Sequence, residues 1–272
     1  MTHSGTSSSS VLLHTVHTAL GRLAETFVLR HLDTCTSTNT ELLEHLPADD
    51  GRIHVLVTDT QTGGKGRRGR QWLSWPEGSL TFSILWRFLP HAPVPAGLSL
   101  AAGVAVAKVM EQRNISGIQL KWPNDVMVHG KKLAGILVEL VPQRGTPPAA
   151  IIGIGINLKL PDHACIPNQP AVTDLHRELG HPVDRALLLA HLLHELHHTF
   201  QRYAATGFPA VHKAWEQRNA FADLPVRISG EDQDITGICI GVDEDGALLI
   251  MPPAGGKAIR ILSGEVSLRG IA

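Results

Sequence analysis

The stretch Gln61-Thr-Gly-Gly-Lys-Gly-Arg-Arg-Gly-Arg-Gln-Trp72 is the most informative part of this sequence. Its four glycines let the backbone approach an anion and adopt positive φ. Trp72 offers a flat face to a base or to another ring. Fixed positive charge, which suits a phosphate or a carboxylate, comes from Lys65, Arg67, Arg68 and Arg70. An arginine-rich loop is often only a solvated surface, but the glycine spacing and the terminal Trp72 favour an anion-binding loop.

Gly64, Gly66 and Gly69 in this loop also match G-x-G-x-x-G, the fingerprint of dinucleotide-binding folds. That fingerprint must open a helix that packs on the sheet. The sequence continues instead as Trp72-Leu-Ser-Trp-Pro-Glu-Gly78, which cannot form such a helix. The loop also carries more cations than the fingerprint needs. We therefore reject a Rossmann fold.

Lys121-Trp-Pro-Asn-Asp125 is the second informative segment. Pro123 biases the residue before it toward extended backbone, so Asn124 and Asp125 should lie at a corner between two strands. Residues of these types often only cap turns. The functional interpretation makes Asp125 a contact for magnesium or for a hydroxyl near a nucleotide.

Two further segments place small residues inside predicted strands. Lys132-Leu-Ala-Gly-Ile-Leu-Val-Glu139 sets one ammonium at the head of an apolar strand over the shallow surface at Gly135, although a turn lysine often only faces solvent. Gly153-Ile-Gly-Ile-Asn157 leaves one face of a strand bare. Asn157 is either a metal or phosphate ligand or a turn-forming residue beside a bulge.

Hydrophobic periodicity predicts alternating strands and helices up to about residue 222, followed by short strands separated by turns, as in a small barrel. Residues 1–10 are predicted to be disordered, and 11–46 show helical spacing that is broken near 33–39. Strands are predicted at 53–58, 80–86, 118–122, 125–129, 133–141, 150–160, 226–229, 237–242, 247–251 and 259–266. Helices are predicted at 98–110, at 184–203 with Asp184 as N-cap, and at 208–218.

The composition is that of a globular protein, with 43% hydrophobic and 18% charged residues. A net charge of −1 excludes a chain-wide basic surface for nucleic acid. Cys35, Cys165 and Cys239 are widely spaced and include no C-x-x-C pair, which argues against a disulfide framework or a structural zinc site and fits a reducing compartment. We expect neither a signal peptide nor a membrane span, because the start is polar and no apolar run is long enough.

Taken together, these segments resemble the catalytic domain of biotin–protein ligases. The family's biotinyl-adenylate loop is similar to residues 61–72, although Lys65 stands where an Arg is common and so lacks its bidentate fork. The other matching motifs are Ser37-Thr38-Asn39, Lys-Trp-Pro-Asn-Asp at 121–125, Lys-Leu-Ala-Gly-Ile at 132–136 and Gly-x-Gly-x-Asn at 153–157. The resemblance covers roughly residues 30–222, and the C-terminal residues look like the family's SH3-like domain.

The resemblance implies an α+β fold, with a mixed β-sheet catalytic domain flanked by helices and a small C-terminal SH3-like β-barrel. The expected divisions are a partly disordered N-terminal extension at 1–25, the catalytic domain at 26–222 and the SH3-like domain at 223–272. Fewer than about forty residues precede Ser37, so we expect a form without the N-terminal DNA-binding domain of some relatives. We expect a cytoplasmic monomer or homodimer that binds neither DNA nor membrane.

The implied activity is an ATP-dependent ligase. Such an enzyme forms biotinyl-5′-AMP from biotin and ATP with Mg²⁺, then transfers biotin to a lysine of a biotin carboxyl carrier domain of a carboxylase. The expected catalytic residues are Lys132, Arg67 and Asp125. The expected biotin contacts are Ser37, Thr38, Asn39, Gln61, Lys65, Gly66, Arg67, Lys132 and Gly135. The expected ATP contacts are Arg67, Arg70, Trp72, Asn124, Lys132 and Asn157, and the expected metal ligands are Asp125 and Asn157.

Three other functions fit parts of the sequence. A lipoate or octanoate ligase shares the catalytic architecture by family resemblance, but the arginine-rich loop and the C-terminal barrel favour biotin. A nucleic-acid binder would use the same basic loop, which is one short patch on a near-neutral chain. His194-Glu-Leu-His-His198 matches the H-E-x-x-H zinc-protease motif. Both end histidines should lie opposite the apolar stripe of the helix and face solvent, so we reject a protease.

Overall fold

The computed structural model describes residues 8–89, 95–141, 148–162, 171–230, 234–262 and 266–270. Strands β1 to β7 are Phe27–Cys35, Ile53–Gln61, Ser79–Arg87, Ile118–Lys121, Asp125–Val128, Lys131–Val141 and Ala149–Asn157. Helices α1 to α6 are Ser8–Leu20, Thr38–Glu44, Leu98–Gln112, Leu175–Leu179, Arg185–Thr206 and Pro209–Glu216. Strands β8 to β12 are Pro225–Gly230, Asp234–Val242, Leu248–Met251, Ile259–Ile261 and Val266–Gly270.

Strands β1 to β7 form one mixed sheet in the order β1-β2-β3-β7-β6-β5-β4. Only β1 and β2 pair in parallel, and every other neighbouring pair is antiparallel. Strands β5 and β6 form a hairpin whose turn is His129-Gly130, because Lys131, two residues before the predicted start of the strand at 133, already pairs with Val128. Both turn residues have positive φ, as a two-residue hairpin requires.

The main core lies on one face of this sheet, beneath α1, α3 and α5. Leu80, Phe82 and Ile84 of β3 point into it. Thr81 and Ser83 occupy the opposite face of the same strand, and both are buried as well. Apolar and polar residues therefore alternate along β3, but its polar face is not exposed to solvent, because α2 packs on that side of the sheet.

The N-terminal region differs from the prediction. Helix α1 begins at Ser8, so Ser8 to Ser10 are helical, not disordered, while residues 1–7 lie outside the described part of the chain. Val16 and Leu20 belong to the main core, and α1 packs against α5. Strand β1 was not predicted. It is an edge strand with polar residues on both faces, and its pairing with β2 spans a sequence distance that local periodicity does not reveal.

The C-terminal strands form a five-stranded antiparallel sheet in the order β11-β10-β9-β8-β12, which makes an SH3-like domain. The strand predicted at 259–266 is two strands, β11 and β12, with residues 263–265 outside the described ranges. This domain contacts the larger one through Trp122, whose Nε1 donates to the Gly246 carbonyl at 3.1 Å. Within the larger domain, the Leu120 backbone exchanges hydrogen bonds with Arg218 and Ala220 at 2.6 and 2.9 Å.

Helix α5 carries the rejected protease motif. His194 and His198 are exposed, as predicted, and Glu195 pairs with Lys108 at 2.8 Å. None of the helices within the described ranges is both long and apolar enough to cross a membrane. Cys35 and Cys239 are buried free thiols, whereas Cys165 lies outside the described residues.

Asp184 caps α5, because its side chain accepts a hydrogen bond from the Leu187 backbone N–H at 2.9 Å. We expect Asp184→Ala to lower the free energy of unfolding by about 1 kcal/mol, since one N–H of the first turn loses its partner. Asp184→Asn keeps an acceptor oxygen and should retain most of that stability. Urea unfolding of the three proteins measures the effect. Equal midpoints for the Ala variant and the parent protein would show that the cap contributes nothing.

Candidate active site

The site lies on the sheet face opposite the main core, where small residues leave the backbone bare. Ser83, Gly153 and Leu137 pair directly across three neighbouring strands. The Asn39 side chain from α2 lies on this row so closely that a Cβ at Gly153 would come within 2.3 Å of Asn39 Oδ1. A glycine is therefore required at position 153 so that the Asn39 side chain can approach the strand closely.

A second row runs two residues further along the strands. It consists of directly paired residues, namely Thr81, Gly155, Gly135 and Asp125. The Trp72 ring rests on it, and a Cβ at Gly155 would come within 2.3 Å of Trp72 Cε2. Trp72 Nε1 is buried and has no hydrogen-bond partner among the described residues. A buried donor of this kind suits a ligand acceptor.

A single cleft joins the two rows, and it encloses about 740 Å³, including the part that opens to solvent. Nearly every site residue expected from the sequence lines it: Ser37, Thr38, Asn39, Gln61, Lys65, Gly66, Arg67, Arg70, Trp72, Asn124, Asp125, Lys132 and Gly135. The structure thus brings together four segments that are far apart in the chain. Asn157 is the expected site residue that is not part of this lining.

The basic loop is a short hairpin over the cleft. Trp72 N donates to the Gly64 carbonyl at 2.9 Å, and Lys65 and Gln71 form an antiparallel bridge. At its tip, Arg68 and Gly69 have φ of 59° and 66°, so both adopt left-handed backbone. Arg70 N donates to the Arg67 carbonyl at 3.2 Å across this tip. The loop is therefore a closed turn and not the start of a helix, which confirms the rejection of a Rossmann fold.

Lys132 and Asp125 form an ion pair on the cleft floor, with Nζ and Oδ1 2.6 Å apart. Both side chains are mostly buried, at 15% and 13% exposure. Lys121, which pairs with Asp125 across the β4–β5 hairpin, is a further lysine of this region. Burial lowers the pKa of Lys121, while the Asp125 carboxylate opposes that shift. Two lysines thus flank one carboxylate.

Polar side chains from α2, β2 and β3 form a connected network at the other end of the cleft. Gln61 Oε1 accepts a hydrogen bond from the Thr38 backbone N–H at 2.7 Å and lies 3.1 Å from Thr38 Oγ1. Ser83 Oγ lies 2.6 Å from Thr38 Oγ1 and 2.5 Å from Asn39 Oδ1. Asn39 Nδ2 donates to Glu139 Oε2 at 2.7 Å. This arrangement can recognise a small, polar, uncharged group.

Ser83 and Glu139 belong to this network and Gly153 makes room for it, but none of the three was a site residue in the sequence prediction. Ser83 carries one available signal, because a serine between two apolar residues of a strand needs a hydrogen-bond partner when it is buried. Glu139 gives no such signal, since its partner Asn39 is a hundred positions earlier in the chain. Only the fold brings these residues together.

Asn157, an expected contact of ATP and metal, directs its side-chain nitrogen to backbone carbonyls. It is buried, and its Nδ2 donates to the carbonyls of Thr173 and Lys132 at 2.9 and 3.4 Å. The Lys132 backbone is further held by Ala171 and by Thr173, at 2.7 and 2.9 Å. Asn157 therefore supports the backbone that carries Lys132.

The expected Mg²⁺ site does not fit these residues. The Asp125 carboxylate is paired with Lys132, and the Asn157 amide nitrogen is directed to backbone carbonyls. Among the described residues, one group of His, Cys, Asp and Glu side chains lies close enough to share an ion: His31, Asp33 and Asp59. Asp59 is already bound by Arg185, and this group is not part of the cleft lining.

The sequence matches two families of known protein domains. Residues 32–157 match the biotin/lipoate A/B protein ligase family, and residues 225–269 match the biotin protein ligase C-terminal domain. The biotin–[acetyl-CoA-carboxylase] ligase of Paracoccus denitrificans is 33% identical over 231 residues, which are 82% of this chain and 94% of that protein. The bifunctional ligase/repressor BirA of Escherichia coli is 34% identical over 242 residues, which are 88% and 73% of the two chains.

A solved structure agrees with these relatives. The biotin protein ligase from Aquifex aeolicus in complex with biotin and ATP has a TM-score of 0.76 and 32% identity, and the match covers 89% of this chain and 99% of that one. The chain described here belongs to the biotin–protein ligase family.

Proposed function

We propose that this protein is an ATP-dependent ligase that forms biotinyl-5′-AMP and transfers the biotinyl group to a lysine of a biotin carboxyl carrier domain. The observation that carries this proposal is the position of Lys132. Its ammonium lies on the floor of the cleft that Lys65, Arg67 and Arg70 also line. These side chains concentrate positive charge in the cleft, which is where the anionic substrates biotin and ATP would have to meet.

The first step joins the two substrates. A biotin carboxylate oxygen attacks the α-phosphorus of ATP, the bond from that phosphorus to the bridging oxygen breaks, and pyrophosphate leaves. Lys132 and Arg67 offset the repulsion between the reactants and the charge that develops on the phosphoryl oxygens. Because both side chains lie in a partly closed cleft, their charges are less screened than on an open surface.

The polar network and the Trp72 ring divide the cleft between the two substrates. Ser37, Thr38, Asn39 and Gln61 suit the uncharged ureido ring of biotin, and Leu137 lies beside them as an apolar wall. Trp72 suits the nucleotide end, where its ring offers a stacking face and its unpartnered Nε1 offers a donor. Biotin thus spans from the first row of the sheet floor to the second.

The second step releases AMP. A neutral lysine amine of the carrier domain attacks the biotinyl carbonyl carbon, and the bond from that carbon to the phosphate oxygen breaks. Asp125 lines the cleft and is our candidate to orient this amine or to accept the proton that the amine loses as the amide forms. Since Asp125 and Asn157 do not form a metal site, the proposed steps use the protein's own cations. Mg²⁺ enters as the counter-ion of ATP.

Other features complete the proposal. We divide the chain into a catalytic domain at 26–222 and an SH3-like domain at 223–272, because the second sheet begins at Pro225. The buried free thiols of Cys35 and Cys239 suit a reducing compartment such as the cytoplasm. Three of the four loop cations, Lys65, Arg67 and Arg70, line the cleft, which favours a small anionic ligand over nucleic acid.

Incubation with ATP, magnesium and radiolabelled biotin, with and without a carrier domain, tests the proposal. We expect biotin-dependent pyrophosphate release in both reactions and labelled carrier in the second. Lipoate and octanoate in place of biotin test the rival ligase assignment. Pyrophosphate release that follows lipoate and ignores biotin would replace our proposal with that rival.

Gly155→Ala should weaken ATP binding more than biotin binding. The added methyl would lie 2.3 Å from the Trp72 ring, so the ring must leave the sheet floor. We expect the KM for ATP to rise about tenfold or more. Gly103→Ala is the matched control, because its Cβ would make only an ordinary contact of 3.4 Å. An unchanged KM for ATP in Gly155→Ala would show that Trp72 does not contact the nucleotide.

A further inference from the structure

Glu139 ends a chain of hydrogen bonds that begins at the cleft floor. Its Oε2 accepts from Asn39 Nδ2 at 2.7 Å, and Asn39 Oδ1 lies 2.5 Å from Ser83 Oγ. Ser83 Oγ in turn lies 2.6 Å from Thr38 Oγ1. Thr38, Asn39 and Ser83 are 2%, 3% and 0% exposed, so bulk water cannot exchange for these partners. Glu139 itself is partly exposed at the outer end of the chain.

The carboxylate gives this chain a direction. An ionised carboxylate only accepts hydrogen bonds, and Asn39 Nδ2 faces two acceptors, Glu139 and the Leu137 carbonyl at 3.3 Å. Asn39 must therefore present its oxygen to Ser83. The single hydroxyl hydrogen of Ser83 goes to that oxygen. In the contact between the two hydroxyls, Thr38 must then be the donor and Ser83 Oγ the acceptor.

This direction determines what the cleft offers a ligand. With its hydrogen directed to Ser83, the Thr38 hydroxyl is left with acceptor lone pairs. Gln61 Oε1, which is held by the Thr38 backbone N–H at 2.7 Å, is a second acceptor only 3.1 Å from Thr38 Oγ1. Both residues line the cleft. Two neighbouring acceptors without a hydrogen between them favour a ligand that brings an N–H donor.

We propose that Glu139 is a positioning residue that sets the hydrogen-bond direction of this network and thereby makes the cleft selective for a cyclic urea N–H. The inference rests on the proposed function, because the urea is the ureido ring of biotin. An amide at position 139 can donate as well as accept, so the longer contact with the Leu137 carbonyl at 3.3 Å is left as the group that opposes turning over of the Asn39 amide. The Thr38 hydrogen could then return to Gln61, and the ligand N–H would lose its acceptor.

Simple charge balance makes the opposite prediction. Glu139 also lines the outer cleft beneath the loop, together with Lys65, Arg67, Arg68 and Arg70. If Glu139 only offset those cations, its neutralisation would strengthen the binding of anionic biotin. Loss of the hydrogen-bond direction weakens binding instead. The sign of the change therefore separates the two roles.

The test is the steady-state rate of biotin-dependent pyrophosphate release. We expect Glu139→Gln to raise the KM for biotin about tenfold and to leave kcat within about twofold, because the urea is remote from the reacting carboxylate. Glu139→Asp keeps an acceptor-only group, so its KM for biotin should lie between those of the parent protein and Glu139→Gln. The control Glu44→Gln makes the same charge change at an exposed end of α2 and should match the parent protein. Inhibition by lipoate, which has no N–H, should not change in Glu139→Gln.

A double-mutant cycle separates the role of direction from general support of the fold. Ser83→Ala interrupts the chain, so adding Glu139→Gln should raise the KM by less than about twofold further. A KM for biotin that is unchanged or lower in Glu139→Gln, or full additivity with Ser83→Ala, would overturn the inference. If Glu139→Gln does not fold, Glu139→Asp alone decides by the same KM criterion. A parent protein without biotin-dependent pyrophosphate release would instead refute the proposed function, whatever Glu139 does.

Discussion

Lys132→Ala is expected to reduce biotin-dependent pyrophosphate release by at least about a hundredfold. The Lys132 ammonium is a fixed cation on the cleft floor, and removal of one such donor from a transition state typically costs two to three orders of magnitude, or roughly 3–4 kcal/mol. The substitution also leaves the Asp125 carboxylate without its partner at 2.6 Å, which adds a further negative charge where anions must bind. Both effects act on the first chemical step.

Lys131→Ala is the matched control for this prediction. Lys131 is the preceding residue of the same strand, but its side chain is exposed. We expect near-normal pyrophosphate release from this variant. Lys132→Arg should recover little activity, because a planar guanidinium does not fit the space of an ammonium 2.6 Å from Asp125. Near-normal release by Lys132→Ala would remove Lys132 from the mechanism.

Arg67→Gly is expected to release the adenylate before transfer and so to label lysines indiscriminately. Arg67 reaches from the loop hairpin into the cleft between the two rows of the sheet floor. Its guanidinium can bind the phosphate of the intermediate there. Loss of that contact should let water and other amines reach the mixed anhydride. We expect labelling of an unrelated protein to rise about tenfold or more, since one charge-assisted hydrogen bond contributes roughly 1.5–3 kcal/mol. Radiolabelled biotin on serum albumin, measured without any carrier domain, gives the readout.

Arg68→Gly is the matched control within the same hairpin. Arg68 lines only the outer cleft, and its φ of 59° is a conformation that glycine adopts without strain. The variant also loses the same charge as Arg67→Gly. We therefore expect it to retain the adenylate. Equal leakage from both variants would mean that loop charge, and not the Arg67 contact, holds the intermediate.

Motifs that are continuous in sequence predicted most of the cleft lining. Several chemically distinctive residues occur in each of four motifs, at 37–39, 61–72, 121–125 and 132–136. The strand register brings these motifs to one cleft. The element types of β2 to β7, α3 and α5 also followed from periodicity, because long runs of apolar residues at strand or helix spacing are local signals.

Features that depend on contacts between distant segments were not predicted. Strand β1 exists because it pairs with β2, and α1 is ordered because Val16 and Leu20 reach the core. The contacts of Asn157 with the Thr173 and Lys132 carbonyls were not predicted either, because Thr173 lies in a distant part of the chain. Ser83 and Glu139 were missed for the same reason: a hydrogen-bond network that joins three strands and a helix leaves no trace in local spacing.

Our central claim is that Lys132 contacts both anionic substrates at once, and a crystal structure with biotin and an unreactive ATP analogue tests it most directly. The account predicts Lys132 Nζ within about 3.5 Å of a biotin carboxylate oxygen and of an α-phosphate oxygen in the same molecule. It also predicts that Asp125 no longer holds Nζ alone. A structure in which Nζ remains on Asp125 and lies beyond roughly 6 Å from either substrate would contradict the account.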